Sequence, residues 1–475
     1  MRQTSPMMRQ NSFDAEDAPR STVSSTVFND DEEVHQFEGK YEGNKPDVDL
    51  SKLIKLEIKS TQKVIRLDPK NDQRVPVMVS IKSFDDKKKE PKEAVESVKA
   101  PETKNQRPGI DLICVIDVSG SMSGEKIELV KKSMSYLLEL LSENDRLSII
   151  TFESFAERLC PLVRVTPENI VKLQGYINTL SGRGGTKINA GMELALRTLQ
   201  EKKFQNNVES IFLLSDGIDG GADKQVETNV NQRIDLLKKS AFSVHTFGYG
   251  SDHDPKLMKN IANLRDGNFF YVDKLETLDE AFANCLGGLF SVIAEEINIV
   301  IRSRLRGIFA DIKIFKAFGD ITIYDTKKDQ YNVKLSQFLS GISKNFVLEM
   351  NIPANKDRVG DLDRNQLLIE AEAVIKPLGK LEPITIAEGL TVTFMNADEE
   401  VKELDADPDV MENFLRVKAV EVMKQNMVLI EQRKFEEADA NLRRINSSIE
   451  KVKGVEKFEK VTNLRNDIMK MQKQC

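Results

Sequence analysis

Between residues 109 and about 290, short apolar runs alternate with stretches whose apolar residues recur every three or four positions. This alternation restricts the fold more tightly than anything else in the chain, because a strand that is apolar on both faces must be covered on both faces. The run "IDLICVID" is followed by Ile127, Val130, Met134, Leu137 and Leu141 at helical spacing, and then by "RLSIITF". "SIFLLSD", a helical "NQRIDLLKKS", "FSVHTFGYG", a helical "DPKLMKNIANL" and "FFYV" repeat the cycle. The order predicts a doubly wound, Rossmann-like α/β domain over residues 109–292, its mostly parallel sheet lying between two helical layers.

On either side the period changes to two. Ile54, Leu56 and Ile58 alternate with charged residues, and Val75, Val77, Val79 and Ile81 alternate again. Beyond the α/β segment the same pattern returns in Ile297, Ile299 and Ile301, in Ile312 and Ile314, and in Phe346, Leu348 and Met350. It continues in Leu367 and Ile369 and in Leu390, Val392 and Phe394. Such strands have one buried and one solvated face, and those of residues 51–85 are too few to form a sheet alone. They are expected to join residues 293–397 in one all-β sandwich into which the α/β domain is inserted. Pro76 predicts an edge or first-strand position for its run. Residues 86–108 are charged and proline-punctuated, which predicts a linker.

From residue 408 to 475 the period is helical. Phe414, Val417, Val420, Met423, Met427 and Ile430 form one stripe, and Phe435, Ala438, Leu442, Ile445 and Ile449 form another after a short break. A third carries Phe458, Val461, Leu464 and Ile468. The expectation is a helical hairpin with a final helix, either capping the sandwich or docking a partner. Residues 1–50, poor in apolar side chains, are expected to be a disordered tail. Within it Arg2 and Arg9 stand three positions before Ser5 and Ser12, a spacing read by basophilic kinases, so both serines are candidate phosphorylation sites.

Composition narrows the function. The 76 acidic residues outnumber 69 basic ones, and no basic stripe offers an electrostatic footprint for nucleic acid. Four scattered cysteines and three histidines do not make a zinc module. No apolar run approaches the eighteen residues of a membrane span, so membrane insertion is not expected. The chain reads as cytoplasmic, with a cytoskeletal or ciliary association left open.

The chemistry-bearing residues fall in the loops expected at the carboxyl ends of the parallel strands, where ligands of doubly wound sheets bind. "DVSGS" follows the first strand, "SGRGGTKI" precedes a helix, and "SDG" follows the strand "SIFLL". They supply Asp117, Ser119, Ser121, Thr186 and Asp216, an all-oxygen set suited to a hard cation: Mg²⁺ first, with Mn²⁺ or Ca²⁺ as substitutes. Gly120, Gly184, Gly185 and Gly217 give these loops the freedom to turn inward. No catalytic residue is assigned, because His35, His245 and His253 stand apart from the serines and no phosphate loop is present.

Taken together, "DVSGS", the threonine of "GGT" and "SDG" resemble the metal-ion-dependent adhesion site of a von Willebrand factor A domain. The resemblance implies that Ser119, Ser121 and Thr186 hold the metal directly while Asp117 and Asp216 bind it directly or through water. It also implies an open coordination position that accepts an aspartate or glutamate of a partner protein. With the following β segment and helical end, the chain further resembles plant and protist proteins whose plant members add a RING module and act as ubiquitin ligases. No Cys/His cluster of that kind is present here. The expected function is therefore a Mg²⁺-dependent scaffold that is not an enzyme, the alternative being a substrate adaptor or subunit of a ubiquitin ligase-like complex. Glu125 and Lys126 stand where integrin β subunits carry a further acidic pair, so an adjacent calcium site is not expected.

Overall fold

The computed structural model describes residues 28, 30, 32–34, 53–84, 107–219, 227–228, 232, 242–265, 267–319, 322–355, 359–360, 363–380, 382–400, 406–452 and 458–473. The candidate phosphorylation sites Ser5 and Ser12, almost all of the 86–108 linker and, apart from Gln232, the expected helix "NQRIDLLKKS" lie outside them.

Three strands precede the α/β domain: β1 (Ile54–Ser60), β2 (Val64–Arg66) and β3 (Gln73–Ser83). The domain itself contains β4 (Ile110–Asp117), α1 (Glu125–Leu140), β5 (Arg146–Phe152), β6 (Ala156–Arg158), β7 (Val163–Arg164), α2 (Pro167–Asn178) and α3 (Ile188–Glu201). Its second half has β8 (Val208–Ser215), β9 (Phe242–Tyr249), α4 (Pro255–Asn263), β10 (Phe269–Val272) and α5 (Leu275–Phe290). The strand order is β10-β9-β8-β4-β5-β6, and β7 also pairs with β5. All neighbours from β10 to β5 are parallel, while β6 and β7 run antiparallel to β5.

Strand alternation explains the two layers. Leu112, Cys114 and Ile116 of β4 face one core with Ile127, Val130 and Met134 of α1, Ile177 of α2 and Phe282 of α5. Ile113 and Val115 face the other, with Met192 and Ala195 of α3 and Met258 and Ile261 of α4. Successive side chains of a strand point to opposite faces, so an unbroken apolar run is what a twice-covered strand requires. The buried thiols of Cys114, Cys160 and Cys285 are pushed above the ordinary range by desolvation.

The α/β domain is inserted into the sandwich. After it come β11 (Val292–Arg302), β12 (Lys313–Ala317), β13 (Thr322–Asp325), β14 (Gln330–Leu335), β15 (Phe338–Leu339), β16 (Ser343–Ile352), β17 (Asn365–Pro377) and β18 (Ile384–Met395). One sheet has the order β1-β3-β16-β12 and the other β13-β14-β11-β17-β18-β2, with β15 beside β11. The early strands thus enter both sheets. Val75, Val77, Val79 and Ile81 share one core with Ile297, Ile299, Leu348, Ala371 and Phe394.

Two local expectations are corrected here. Strand β3 is central, not an edge; it tolerates Pro76 because pairing with β1 stops at Val77, and the Pro76 carbonyl faces the end of β1, accepting from Thr61 N at 3.1 Å. The missing N–H therefore points where no strand remains to pair. In β17 a register shift between Leu367 and Ile369 breaks the alternation, so Leu367 is exposed while Leu368 and Ile369 are both buried.

Helices α6 (Pro408–Glu431), α7 (Phe435–Glu450) and α8 (Glu459–Gln472) form a hairpin with a third helix packed on it. The predicted stripe of α6 is only partly its buried face: Phe414 is buried and Val417 and Met423 pack against buried clusters. Val420 and Met427 are exposed, whereas Leu415 and Ala419 face α7 and α8, and Val410 and Phe414 face Met78, Val347 and Phe318 of the sandwich. Serving two partners widens the apolar arc of α6 and blurs its period. Among the described residues, no helix is long and apolar enough to cross a membrane.

The first fifty residues do not behave uniformly as an unanchored tail. Asp30 is buried, and its carboxylate accepts from Arg158 Nη1 at 2.8 Å and Leu162 N at 2.7 Å. Glu32 accepts from Arg164 N at 2.7 Å, and Phe28 lies under the Arg158 guanidinium. Charge-assisted hydrogen bonds to an exposed sheet edge anchor a stretch that has few apolar side chains to bury.

His245 in β9 gives the fold a pH dependence. Its Nδ1 accepts from Asn268 N at 3.1 Å, which leaves the proton on Nε2, 3.2 Å from Ser243 Oγ. Burial lowers its pKa from 6.5 to about 4. The unfolded chain therefore binds a proton that the folded chain refuses, and stability is lost as pH falls from about 6.5 to about 4, by about 3 kcal/mol. Chemical denaturation across that window should show this loss in the wild type and lack it in His245→Gln; equal slopes would contradict the assignment.

Candidate functional site

Strand β4 ends at Asp117, where the chain leaves the sheet and turns through a short 3-10 segment from Gly120 to Met122. Met122 is fully buried and pins this turn. Ser119 N donates to Asp117 Oδ1 at 2.9 Å, and the Oγ atoms of Ser119 and Ser121 lie 3.1 Å apart. Asp117 and Ser119 are buried and Ser121 is exposed, so the donors run from the sheet end out to solvent.

The loop carrying Thr186 is tied to this turn by backbone hydrogen bonds. Arg183 N donates to Val118 O at 2.7 Å, and Gly120 N donates to Gly184 O at 3.1 Å. Gly184 has φ 71°, a left-handed conformation that favours glycine, and its Cα faces the Glu153 carboxylate. Gly185 N donates to Ser154 Oγ at 3.2 Å, and Thr186 follows, half-buried, before α3.

Asp216 stands directly after β8 and is fully buried. Gly217, with φ 68°, turns the chain, and its N–H donates to Ser215 Oγ at 2.8 Å. The Ser215 hydroxyl donates to Asp117 Oδ2 at 2.5 Å and so joins the first and third loops. Asp219 Oδ2 accepts from Ile188 N at 2.9 Å, linking the third loop to the second. The structure thus brings together the three loops that carry Asp117, Ser119, Ser121, Thr186 and Asp216.

Some residues that shape this site were not identifiable from the sequence. Ser215 orients Asp117; its only signal was its place in "SDG". Lys126, at the start of α1, places Nζ 3.0 Å from Asp216 Oδ2 and 2.8 Å from Asp252 Oδ1. These carboxylates hold its pKa above the ordinary value despite desolvation. Among the described residues Asp117 has no such cation. Burial, with the Asp216 charge adding to it, pushes its carboxyl up to about 6 against the hydrogen bonds from Ser119 and Ser215.

Residues 111–284 match the family profile of the von Willebrand factor type A domain. The chain is similar to an E3 ubiquitin-protein ligase, WAV3, of Arabidopsis thaliana, with 28% identity over 261 residues that cover 54% of this chain and 32% of that protein. It is also similar to the human inter-alpha-trypsin inhibitor heavy chain H4, 29% identical over 172 residues, or 34% of this chain and 18% of that one. The matched segments therefore span a third or less of these relatives. A solved structure of a von Willebrand factor type A protein from Catenulispora acidiphila shares the fold at 13% identity, with a TM-score of 0.62 over 87% of this chain and 89% of that one. Sequence match, sheet order and shared fold agree: the inserted α/β unit of this chain is a von Willebrand factor type A domain.

Proposed function

We propose that the chain is a scaffold whose A domain captures an aspartate or glutamate of a partner protein through a Mg²⁺ ion. Domains of this family are in general protein-interaction modules; the metal, the acidic ligand and the scaffold role are the proposal. The observation that carries it is the pair of fully buried carboxylates, Asp117 and Asp216, at adjacent strand ends beside three hydroxyls, with no ion pair to Asp117 among the described residues. A buried carboxylate without a counter-charge is costly, and a hard divalent ion among oxygen donors removes that cost. The donor set fits Mg²⁺, with Mn²⁺ or Ca²⁺ as substitutes: Ser119, Ser121 and Thr186 would hold it by their hydroxyls and Asp117 and Asp216 by their carboxylates. Among the described residues no three of His, Cys, Asp and Glu converge, so hydroxyls must supply the remaining donors. The reading assigns the chain no catalytic step.

Affinity purification of the full chain in Mg²⁺ and in EDTA tests the reading. Partners should be retained in Mg²⁺, released by EDTA and not captured by Thr186→Ala; capture that survives chelation would contradict it. A second reading, adaptor or subunit of a ubiquitin ligase-like complex, is favoured by the similarity to the plant ligase. Ubiquitin-conjugating machinery among the Mg²⁺-dependent partners is its signature.

A further inference from the structure

We infer that Lys126 is a positioning residue that fixes the charge of the candidate metal site. By holding Asp216 Oδ2, it keeps that carboxylate from neutralising the cation and leaves the cation open to an outside carboxylate. The inference rests on the metal-binding reading above and adds to it the residue that sets the balance between metal affinity and ligand affinity.

The placement of Lys126 needs explaining. It is the second residue of α1, in the first turn, where the helix dipole disfavours a positive side chain. Two carboxylates from different strand ends compensate: Asp216 after β8, at 3.0 Å, and Asp252 beyond β9, at 2.8 Å. The loop after β9 that carries Asp252 runs close beside the lysine stem. Gly250 has φ 83°, and a Cβ there would lie 2.5 Å from Lys126 Cε. Lys126 is 18% exposed and Asp216 is fully buried, so the ammonium is built into the wall of the site and does not sample solvent freely.

Asp216 then has two unequal oxygens. Oδ2 is committed to the ammonium, and Oδ1 accepts from Ile218 N at 3.3 Å. A carboxylate shared with an ammonium donates less charge to a metal, so a cation seated among Asp117, Ser119, Ser121 and Thr186 keeps most of its attraction for a further anion. The ammonium itself adds positive charge at the rim where a partner's carboxylate would arrive. Metal affinity is thereby reduced and ligand affinity gained.

Removing the charge should move the two affinities in opposite directions, which a merely structural role would not do. In isothermal titration of the full chain, Lys126→Met and Lys126→Gln should bind Mg²⁺ about tenfold more tightly than wild type, because Asp216 is released to the metal. Acetate, used as the carboxylate probe and followed by displacement of water from bound Mn²⁺, should bind these variants several-fold more weakly. Two substitutions guard against a folding defect in one, and thermal unfolding in EDTA identifies the variant that carries the test. Mg²⁺ affinity that is unchanged or weaker in a folded neutral variant overturns the role of Lys126 and leaves the metal site standing. A wild type that binds no Mg²⁺ overturns both.

Discussion

A chain beginning at Arg107 will lose the β-sandwich and keep the A domain. Eight core side chains of the sandwich, namely Ile54, Leu56, Ile65, Leu67, Val75, Val77, Val79 and Ile81, come from residues before the inserted domain. At about 1.5 to 3 kcal/mol for each fully buried side chain, their removal takes away roughly 10 kcal/mol or more, which exceeds the net stability of most domains. The loss is also topological. Strand β3 pairs with both β1 and β16, so without it β16 and β12 are left as a two-stranded remnant. Val79→Asp in the full chain should act in the same direction by burying an unpaired carboxylate at a position that is fully buried. Hydrogen exchange should then show loss of protection across β11, β16 and β17 while β4, β5 and β8 stay protected. A protected β16 in the truncated chain would contradict the composite sandwich.

The second large effect is expected at Asp117. Asp117→Ala should abolish measurable Mg²⁺ binding, because it removes the carboxylate that, among the described residues, faces no cation. Ser215→Ala, which frees Asp117 Oδ2 without touching the donor set, should weaken binding about tenfold to a hundredfold, as is usual for groups that orient a metal ligand. The same burial predicts a trade of stability against function. The carboxyl of Asp117 has a folded pKa raised from 3.8 to about 6, so its contribution to stability is present below about pH 4 and lost as pH rises through 6. In EDTA at pH 8, Asp117→Asn should therefore be more stable than wild type, on the order of 2 kcal/mol, and the advantage should fade toward pH 4. Saturating Mg²⁺ should restore the wild type, by about 2.7 kcal/mol at a hundred times its dissociation constant, and leave the variant unmoved.

The doubly wound α/β unit and the loops at its strand ends were legible because each rests on local pattern. An apolar run covered on both faces ends abruptly at Asp117 and at Ser215, and the polar loop that follows can only be at a strand end. Helix α2 was passed over although its start was written plainly. Thr166 caps it by accepting from Asn169 N, and Pro167 sits at its first position, but only Leu173 and Ile177 are buried, too few for a visible stripe. The roles of Lys126 and Asp30 were not legible, because their partners lie 126 and 128 residues away and belong to other elements. Charged residues carry no periodicity, and only the fold decides which of them meet. For the same reason α6 was misjudged, since its exposed Val420 and Met427 fit the helical period as well as the buried Ala419 does.

Titration of the full chain with Mn²⁺ in place of Mg²⁺, followed by the relaxation of water protons, tests the central claim most directly. The account predicts one bound ion per chain that retains exchangeable water, displaced by Mg²⁺, and no bound ion in Asp117→Ala whose folding is confirmed by unchanged hydrogen-exchange protection of β4 and β8. Equal Mn²⁺ binding by wild type and Asp117→Ala, or no binding by wild type, would contradict it.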